Sequence, residues 1–105
     1  MPVMGVDLGT GGVRAVVLDP DSGELIASAT ASIESHHPHP GWSQQAPQDW
    51  WRAACEAISK VITDGPMDGR DIQAVGLSGQ MHGCTLIDAA DQPLRPAILW
   101  NDQRT

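Results

Sequence analysis

The chain has 105 residues and carries 13 acidic against 6 basic side chains, a formal net charge of −7. We exclude nucleic acids and anionic membrane surfaces as partners, because no basic patch is available to neutralise their phosphates. No apolar run is long enough to span a bilayer and the first residues lack a basic segment, so we expect neither a membrane span nor a signal peptide.

The chain contains two cysteines, Cys55 and Cys84, far apart in apolar surroundings. Their spacing matches no metal-ligand pattern. We therefore expect two reduced, buried thiols in a cytoplasmic protein.

Two apolar runs at the start of the chain predict a β-hairpin. Its strands are expected at residues 3–7 and 13–19. A strong turn at residues 19–23 leads to a third strand at residues 24–33, which continues an antiparallel meander.

A single helix is predicted at residues 47–63, after an irregular loop at residues 34–46. Pro47 suits the first helical position, and Gly65 with the proline after it ends the helix. The apolar residues make one helical stripe, with both tryptophans as core anchors: Trp50, Trp51, Ala54, Cys55, Ile58, Val61 and Ile62.

The last third of the chain predicts short strands. Residues 72–78 are mostly apolar, and we expect a strand parallel to the first and buried on both faces. A polar turn at residues 79–83 follows, then strands at residues 84–88 and 96–100 on either side of the turn at residues 89–93. This order predicts an α/β fold with a mixed sheet.

The hairpin turn has the composition of a phosphate-binding loop. The glycines Gly9, Gly11 and Gly12 can adopt positive φ and let the backbone approach a phosphate group closely. Thr10 adds a hydroxyl donor. Asp7, at the end of the first strand, is placed to hold Mg²⁺. The alternative is an ordinary hairpin turn. The pattern is neither a Walker A loop nor a dinucleotide fingerprint.

Four segments together resemble the FGGY carbohydrate kinases. Asp7-Leu8-Gly9-Thr10-Gly11-Gly12-Val13-Arg14 resembles their first phosphate motif. Gly79-Gln80-Met81-His82-Gly83 is similar to their sugar-binding turn, in the form found in the xylulose-phosphorylating members. Residues 38–51 and 95–104 resemble two further segments, and the likeness runs over residues 4–105. One departure is Gln44, which stands where the family usually has Glu.

The resemblance implies a ribonuclease-H-like fold, as in actin-like ATPases and sugar kinases. Residues 1–105 would form the N-terminal part of the first kinase domain. The rest of that domain, with the catalytic base, and the whole second domain have no counterpart here. We therefore expect a fragment that is inactive alone.

The resemblance also implies a reaction, the ATP- and Mg²⁺-dependent phosphorylation of D-xylulose to D-xylulose 5-phosphate. Asp7 would lie near the metal, and the nucleotide phosphates would contact Gly9, Thr10, Gly11, Gly12 and Arg14. The sugar would contact Gln80, Met81, His82, Trp100, Asn101 and Asp102. Arg104 would pair with a carboxylate and hold its loop.

Three other interpretations remain open. The first is another pentulose or polyol kinase of the same family. The second is a non-catalytic remnant that binds sugar or phosphate, or an interaction module. The third is an actin- or chaperone-like ATPase, which the sugar-turn motif disfavours. In each case an uncovered apolar face of the sheet would favour a homo-oligomer.

Overall fold

A four-stranded mixed sheet with one helix on it forms the body of the protein. The computed structural model describes residues 1–104, so Thr105, the last residue of the predicted domain, lies outside the described residues. The elements are β1 (Val3–Leu8), β2 (Gly12–Leu18), β3 (Leu25–Ser32), β4 (Gln44–Gln45), α1 (Pro47–Asp64), a 3₁₀ turn (Gly69–Asp71), β5 (Val75–Gly79) and β6 (Ala97–Ile98).

The sheet has the strand order β3-β2-β1-β5. The first three strands are antiparallel, and β5 runs parallel to β1 after the crossover through α1. This topology confirms the predicted α/β fold with its mixed sheet. Strands β4 and β6 form a separate two-stranded sheet, in which β4 lies in the predicted loop at residues 34–46 and β6 lies within the predicted strand at residues 96–100.

The core lies between α1 and one face of β1, β2 and β3. Alternate residues of these strands point toward the helix, where small side chains at Ala53 and Ala57 permit close packing. The buried cluster is Met4, Val6, Val13, Ala15, Val17, Ala29, Ala31, Ile33, Ala53, Ala57 and Val61.

The bounds predicted for α1 are confirmed to within one residue, but its predicted buried stripe is partly wrong. Trp50 packs against the core, whereas Trp51 is 75% exposed and Cys55 is also exposed. On a helix, positions two residues apart face about 160° away from each other. Because Ala53 and Ala57 face the sheet, Trp51 and Cys55 face solvent.

The prediction that β5 is buried on both faces is wrong. Every residue of β5 is exposed, and Leu77 is 81% exposed. In the parallel register Val75 lies opposite Met4 and Leu77 opposite Val6, so both belong to the face that α1 covers elsewhere. The helix packs on the first three strands and leaves this edge strand uncovered.

Two further predictions fail near the end of the chain. Residues 84–88 form no strand, only isolated bridges from Cys84 to Ile98 and from Ile87 to Pro93. Cys84 is exposed, so neither cysteine is the buried thiol expected, although both are free. Among residues 1–104, we find no helix with the length and apolar character needed to span a membrane.

Candidate functional site

The phosphate motif and the sugar motif meet at one edge of the sheet. In the parallel pair β1–β5, Asp7 lies opposite Ser78 and Leu8 opposite Gly79. The two turns that leave these strands therefore start side by side, and the Gln80 N–H donates to the Leu8 carbonyl at 2.9 Å. The carboxyl ends of parallel strands are where open α/β sheets bind ligands.

Asp7 presents an exposed carboxylate at this edge. Its Oδ1 accepts a hydrogen bond from the Ser78 hydroxyl at 2.6 Å, which orients the carboxylate. Arg14 lies opposite Asp7 in the β1–β2 register and is also exposed, on the sheet face away from α1. A carboxylate and a guanidinium thus stand next to the hairpin turn.

The hairpin turn closes through a hydrogen bond from the Gly9 N–H to the Gly12 carbonyl, at 2.9 Å. The expectation of positive φ in this turn is wrong, because the positive-φ glycines of the described chain lie elsewhere. Gly12 is required for close approach instead, since a Cβ there would lie 2.4 Å from the Ala31 carbonyl oxygen. A Cβ on Gly11 would meet nothing within 4 Å, so Gly11 faces open space.

The turn after β5 borders a groove of about 230 Å³, formed by Gly79, Gln80, Met81, His82 and Trp100. His82 has a φ of 63°, in the left-handed region that residues other than glycine seldom adopt. Strained backbone of this kind clusters at functional sites. The structure therefore brings four of the six predicted sugar-contacting residues to one groove.

Side-chain hydrogen bonds join the two motifs directly. The Thr10 hydroxyl donates to Gln80 Oε1 at 3.1 Å and accepts from Trp100 Nε1 at 3.0 Å. Thr10 belongs to the phosphate motif, whereas Gln80 and Trp100 belong to the sugar motifs. Residues 70 and 90 positions apart in the chain thus share one hydroxyl group.

Asp102 is not brought to this groove. Its side chain is 2% exposed, and its Oδ2 accepts from Arg104 Nη2 at 2.6 Å and from the Ser43 N–H at 2.6 Å. Hydrogen bonds from the Arg104 side chain, and then from the Ser43 N–H, hold the pKa of this carboxyl well below its usual range. The prediction that Arg104 pairs with a carboxylate is confirmed, and its guanidinium also stacks 3.8 Å above the ring of Trp42.

Asn101 also lies away from the groove. It lines a separate open pocket with residues 37–43, a segment that carries His37 and His39. His37 Nδ1 is 2.8 Å from the Trp42 carbonyl oxygen. Within residues 1–104, no group of three or more His, Cys, Asp or Glu side chains is arranged to hold a metal ion.

Sequence reasoning missed Gln45, the largest fully buried polar residue of the site, which has 0% exposure. Its Nε2 donates to the Thr10 carbonyl at 2.6 Å and to Ser35 Oγ at 3.0 Å. Its Oε1 accepts from Trp50 Nε1 at 2.8 Å and from Gln80 Nε2 at 3.2 Å. A glutamine in an irregular loop carries no pattern that separates it from exposed glutamines, so only the fold reveals this role.

Comparison with known proteins decides the family. Residues 2–105 match the model described as the FGGY family of carbohydrate kinases, N-terminal domain. The chain belongs to this family. The FGGY resemblance of the four motifs is therefore confirmed over nearly the whole chain.

Relatives in the FGGY family include kinases of more than one kind. The xylulose kinase of Escherichia coli (strain K12) is 45% identical over 101 residues, which cover 96% of this chain and 20% of the relative. The glycerol kinase of Acaryochloris marina is 38% identical over 104 residues, covering 98% of this chain and 20% of the relative. The chain spans about a fifth of the length of the curated relatives it matches.

A solved xyloylose kinase from Brucella ovis superposes with a TM-score of 0.92 and 44% sequence identity. The match covers 99% of this chain and 22% of that protein. This likeness confirms the predicted sugar-kinase fold.

Proposed function

We propose that this chain supplies the phosphate-binding turn and the sugar-binding turn of an ATP-dependent kinase that phosphorylates D-xylulose to D-xylulose 5-phosphate. The observation that carries the proposal is the hydrogen bond between Thr10 and Gln80, which joins the turn that resembles a phosphate motif to the turn that resembles a sugar motif. The similarity to a xylulose kinase and the Gln80-Met81-His82 sequence support this acceptor.

Phosphoryl transfer depends mainly on positioning and electrostatics. In the proposed assignment, the turn at residues 9–12 and the Arg14 guanidinium hold the nucleotide phosphates. A guanidinium such as that of Arg14 can pair with two phosphate oxygens at once.

The chemistry of the donors fits Mg²⁺. Protein-bound Mg²⁺ commonly uses one carboxylate and completes its shell with water and substrate phosphates rather than a cage of side chains. Asp7, exposed at a strand end beside the phosphate turn, provides such a carboxylate. The ion, when bound, supplies positive charge that neutralises the phosphoryl oxygens.

The sugar occupies the groove beside His82 and Trp100 in this proposal. The Trp100 indole N–H is already engaged by Thr10, which leaves the ring face for the apolar carbon face of a sugar. The exposed His82 ring hydrogen-bonds a sugar hydroxyl, and Met81 supplies an adaptable apolar contact.

The base that accepts the proton of the attacking hydroxyl comes, in this proposal, from outside these 105 residues. The family resemblance implies an aspartate in a later part of the domain. We therefore expect turnover from the full-length product that carries this chain, and none from residues 1–105 alone.

A second candidate is a polyol kinase, favoured by the similarity to a glycerol kinase. To separate the two, ADP release by the full-length product is followed with D-xylulose, glycerol and gluconate. We expect kcat/KM for D-xylulose to exceed the other two values at least about tenfold. A preference for glycerol or gluconate would show that the proposed acceptor is wrong.

The variant His82→Ala tests the sugar groove. We expect kcat/KM for D-xylulose to fall about 10- to 100-fold, as the loss of one hydrogen bond to a bound substrate implies. His36→Ala is the matched control, because His36 is exposed and uses its backbone groups to pair with Gln44. Equal effects of the two variants would contradict a sugar contact at His82.

A further inference from the structure

We infer that Gln45 is a positioning residue that aims the phosphate turn and couples it to the sugar turn. This inference rests on the proposed kinase function. Gln45 touches neither ligand in this assignment and acts through Thr10 and Gln80.

The amide of Gln45 has no hydrogen-bonding capacity left over. A primary amide offers two N–H donors and two carbonyl lone pairs, and in Gln45 all four are used. Its partners come from four parts of the fold: the turn after β1, the segment after β3, α1 and the turn after β5. A buried network with every member satisfied rigidifies the parts it joins.

The contact with Thr10 sets the direction of one peptide group. Gln45 Nε2 holds the Thr10 carbonyl oxygen at 2.6 Å, on the buried side of the turn. The peptide unit is planar and trans, so its N–H, which belongs to Gly11, points the opposite way. Gly11 is exposed, and a Cβ on it would meet nothing within 4 Å, so this part of the turn borders open space. Gln45 thereby aims the Gly11 N–H at the proposed phosphate position.

The contact with Gln80 carries the coupling. Gln80 Nε2 donates to Gln45 Oε1 at 3.2 Å, while Gln80 Oε1 accepts from the Thr10 hydroxyl. A sugar that fixes the conformation of the turn after β5 also fixes the side chain of Gln45. Through Gln45 it fixes the orientation of the Thr10–Gly11 peptide group. Sugar should therefore raise nucleotide affinity, and by thermodynamic linkage nucleotide should raise sugar affinity by the same factor.

The test compares Gln45→Met with Gln44→Met in the full-length product. Gln45→Met keeps the side-chain length and removes all four hydrogen bonds. Gln44 is the adjacent residue and is half-buried, and its Oε1 instead accepts from the exposed guanidinium of Arg95 and from the mostly buried guanidinium of Arg104. Calorimetry measures the binding of a magnesium complex of a non-hydrolysable ATP analogue, with and without D-xylulose, and of D-xylulose alone.

We expect Gln45→Met to weaken nucleotide binding at least tenfold and to bring the coupling factor close to one. The affinity for D-xylulose alone should stay within about threefold, and Gln44→Met should leave all three quantities unchanged. A folded Gln45→Met protein with wild-type nucleotide affinity and coupling would overturn the inference. If Gln45→Met weakened the binding of both ligands to the same extent and also lowered the melting temperature, Gln45 would be a general structural residue. That result would also overturn the inference.

Gln45→Glu serves if the methionine variant does not fold. It keeps the two acceptor positions toward Trp50 and Gln80, and replaces the donor to Thr10 by an oxygen. The same selective loss of nucleotide affinity is expected, and Gln44→Glu is its control. If the wild-type protein bound neither ligand, both the proposed function and this inference would be overturned. If the wild-type protein bound both ligands and the Gln45 variants bound them equally well, only the inference would be overturned.

Discussion

Two neighbouring glycines in the hairpin turn between β1 and β2, which we propose binds phosphate, have different surroundings. A Cβ on Gly12 would lie 2.4 Å from the Ala31 carbonyl oxygen and 3.3 Å from Ser32 Cα, both backbone atoms that cannot move aside cheaply. A Cβ on Gly11 would enter open space. Gly12 is therefore required for the pairing of β2 with β3, whereas Gly11 leaves room for a ligand.

The two alanine variants separate these purposes. Gly12→Ala should lower the free energy of unfolding by about 1–3 kcal/mol, because the strands must separate to admit the methyl group. Gly11→Ala should change it by less than about 0.5 kcal/mol. Urea denaturation of this chain measures both values.

Nucleotide titration of the full-length product completes the comparison. Gly11→Ala should weaken the binding of a magnesium nucleotide about tenfold, because its methyl group occupies the proposed phosphate position. Unchanged nucleotide affinity in a folded Gly11→Ala protein would argue that phosphates bind elsewhere.

At the scale of elements, a carboxylate clamps the small sheet of β4 and β6. Asp102 follows β6 and accepts the N–H of Ser43, which precedes β4, while Arg104 closes over the same carboxylate. Arg104 lowers the pKa of Asp102 in the folded protein. A carboxyl with a lowered folded pKa stabilises the protein fully above its unfolded pKa, which is about 3.9, and loses this contribution as the pH falls toward the folded pKa.

The variant Asp102→Asn should be less stable than the wild type at pH 7. The difference in melting temperature should shrink progressively below about pH 4, where the unfolded chain already binds the proton. Thermal unfolding at pH 7, 5 and 3 checks the trend. Asp64→Asn, at an exposed position at the end of α1, is the control and should show little difference at any of these values. A stability difference that does not depend on pH would contradict the ion pair.

The helix shows how far local pattern can predict an element. Pro47, Gly65 and the apolar spacing were sufficient to place α1 to within one residue. They did not reveal which side of the helix meets the sheet, because Trp51 and Cys55 are as apolar as the residues that are buried. Packing favoured the face with small residues, Ala53 and Ala57, against which the strands fit closely.

At the scale of the whole molecule, β5 leaves an apolar edge exposed. Val75 and Leu77 continue the core face of the sheet beyond the reach of α1. The chain spans about a fifth of the length of its relatives. An exposed apolar edge strand favours association with another copy or with a covering element.

We expect this chain by itself to self-associate as its concentration rises, and Leu77→Lys to reduce the association. Sedimentation velocity over a range of concentrations measures the effect. Leu25→Lys is the matched control, since Leu25 is an exposed leucine on β3 at the opposite edge of the same sheet. Equal effects of the two variants would show that general charge, rather than the β5 face, controls association.

The sequence by itself determined the order of the main strands, the bounds of α1, the position of the hairpin turn between β1 and β2, and the family. These features depend on residue types within a few positions of one another, or on motifs whose order along the chain is specific. Only the tertiary structure decided that Gln45 is buried among four partners, that Asp102 is held by Arg104 and Ser43, and that β5 is exposed. The contacts of Gln45 with Thr10 and Gln80 and of Asp102 with Ser43 join groups 35 to 59 positions apart in the chain, so no local pattern specifies them.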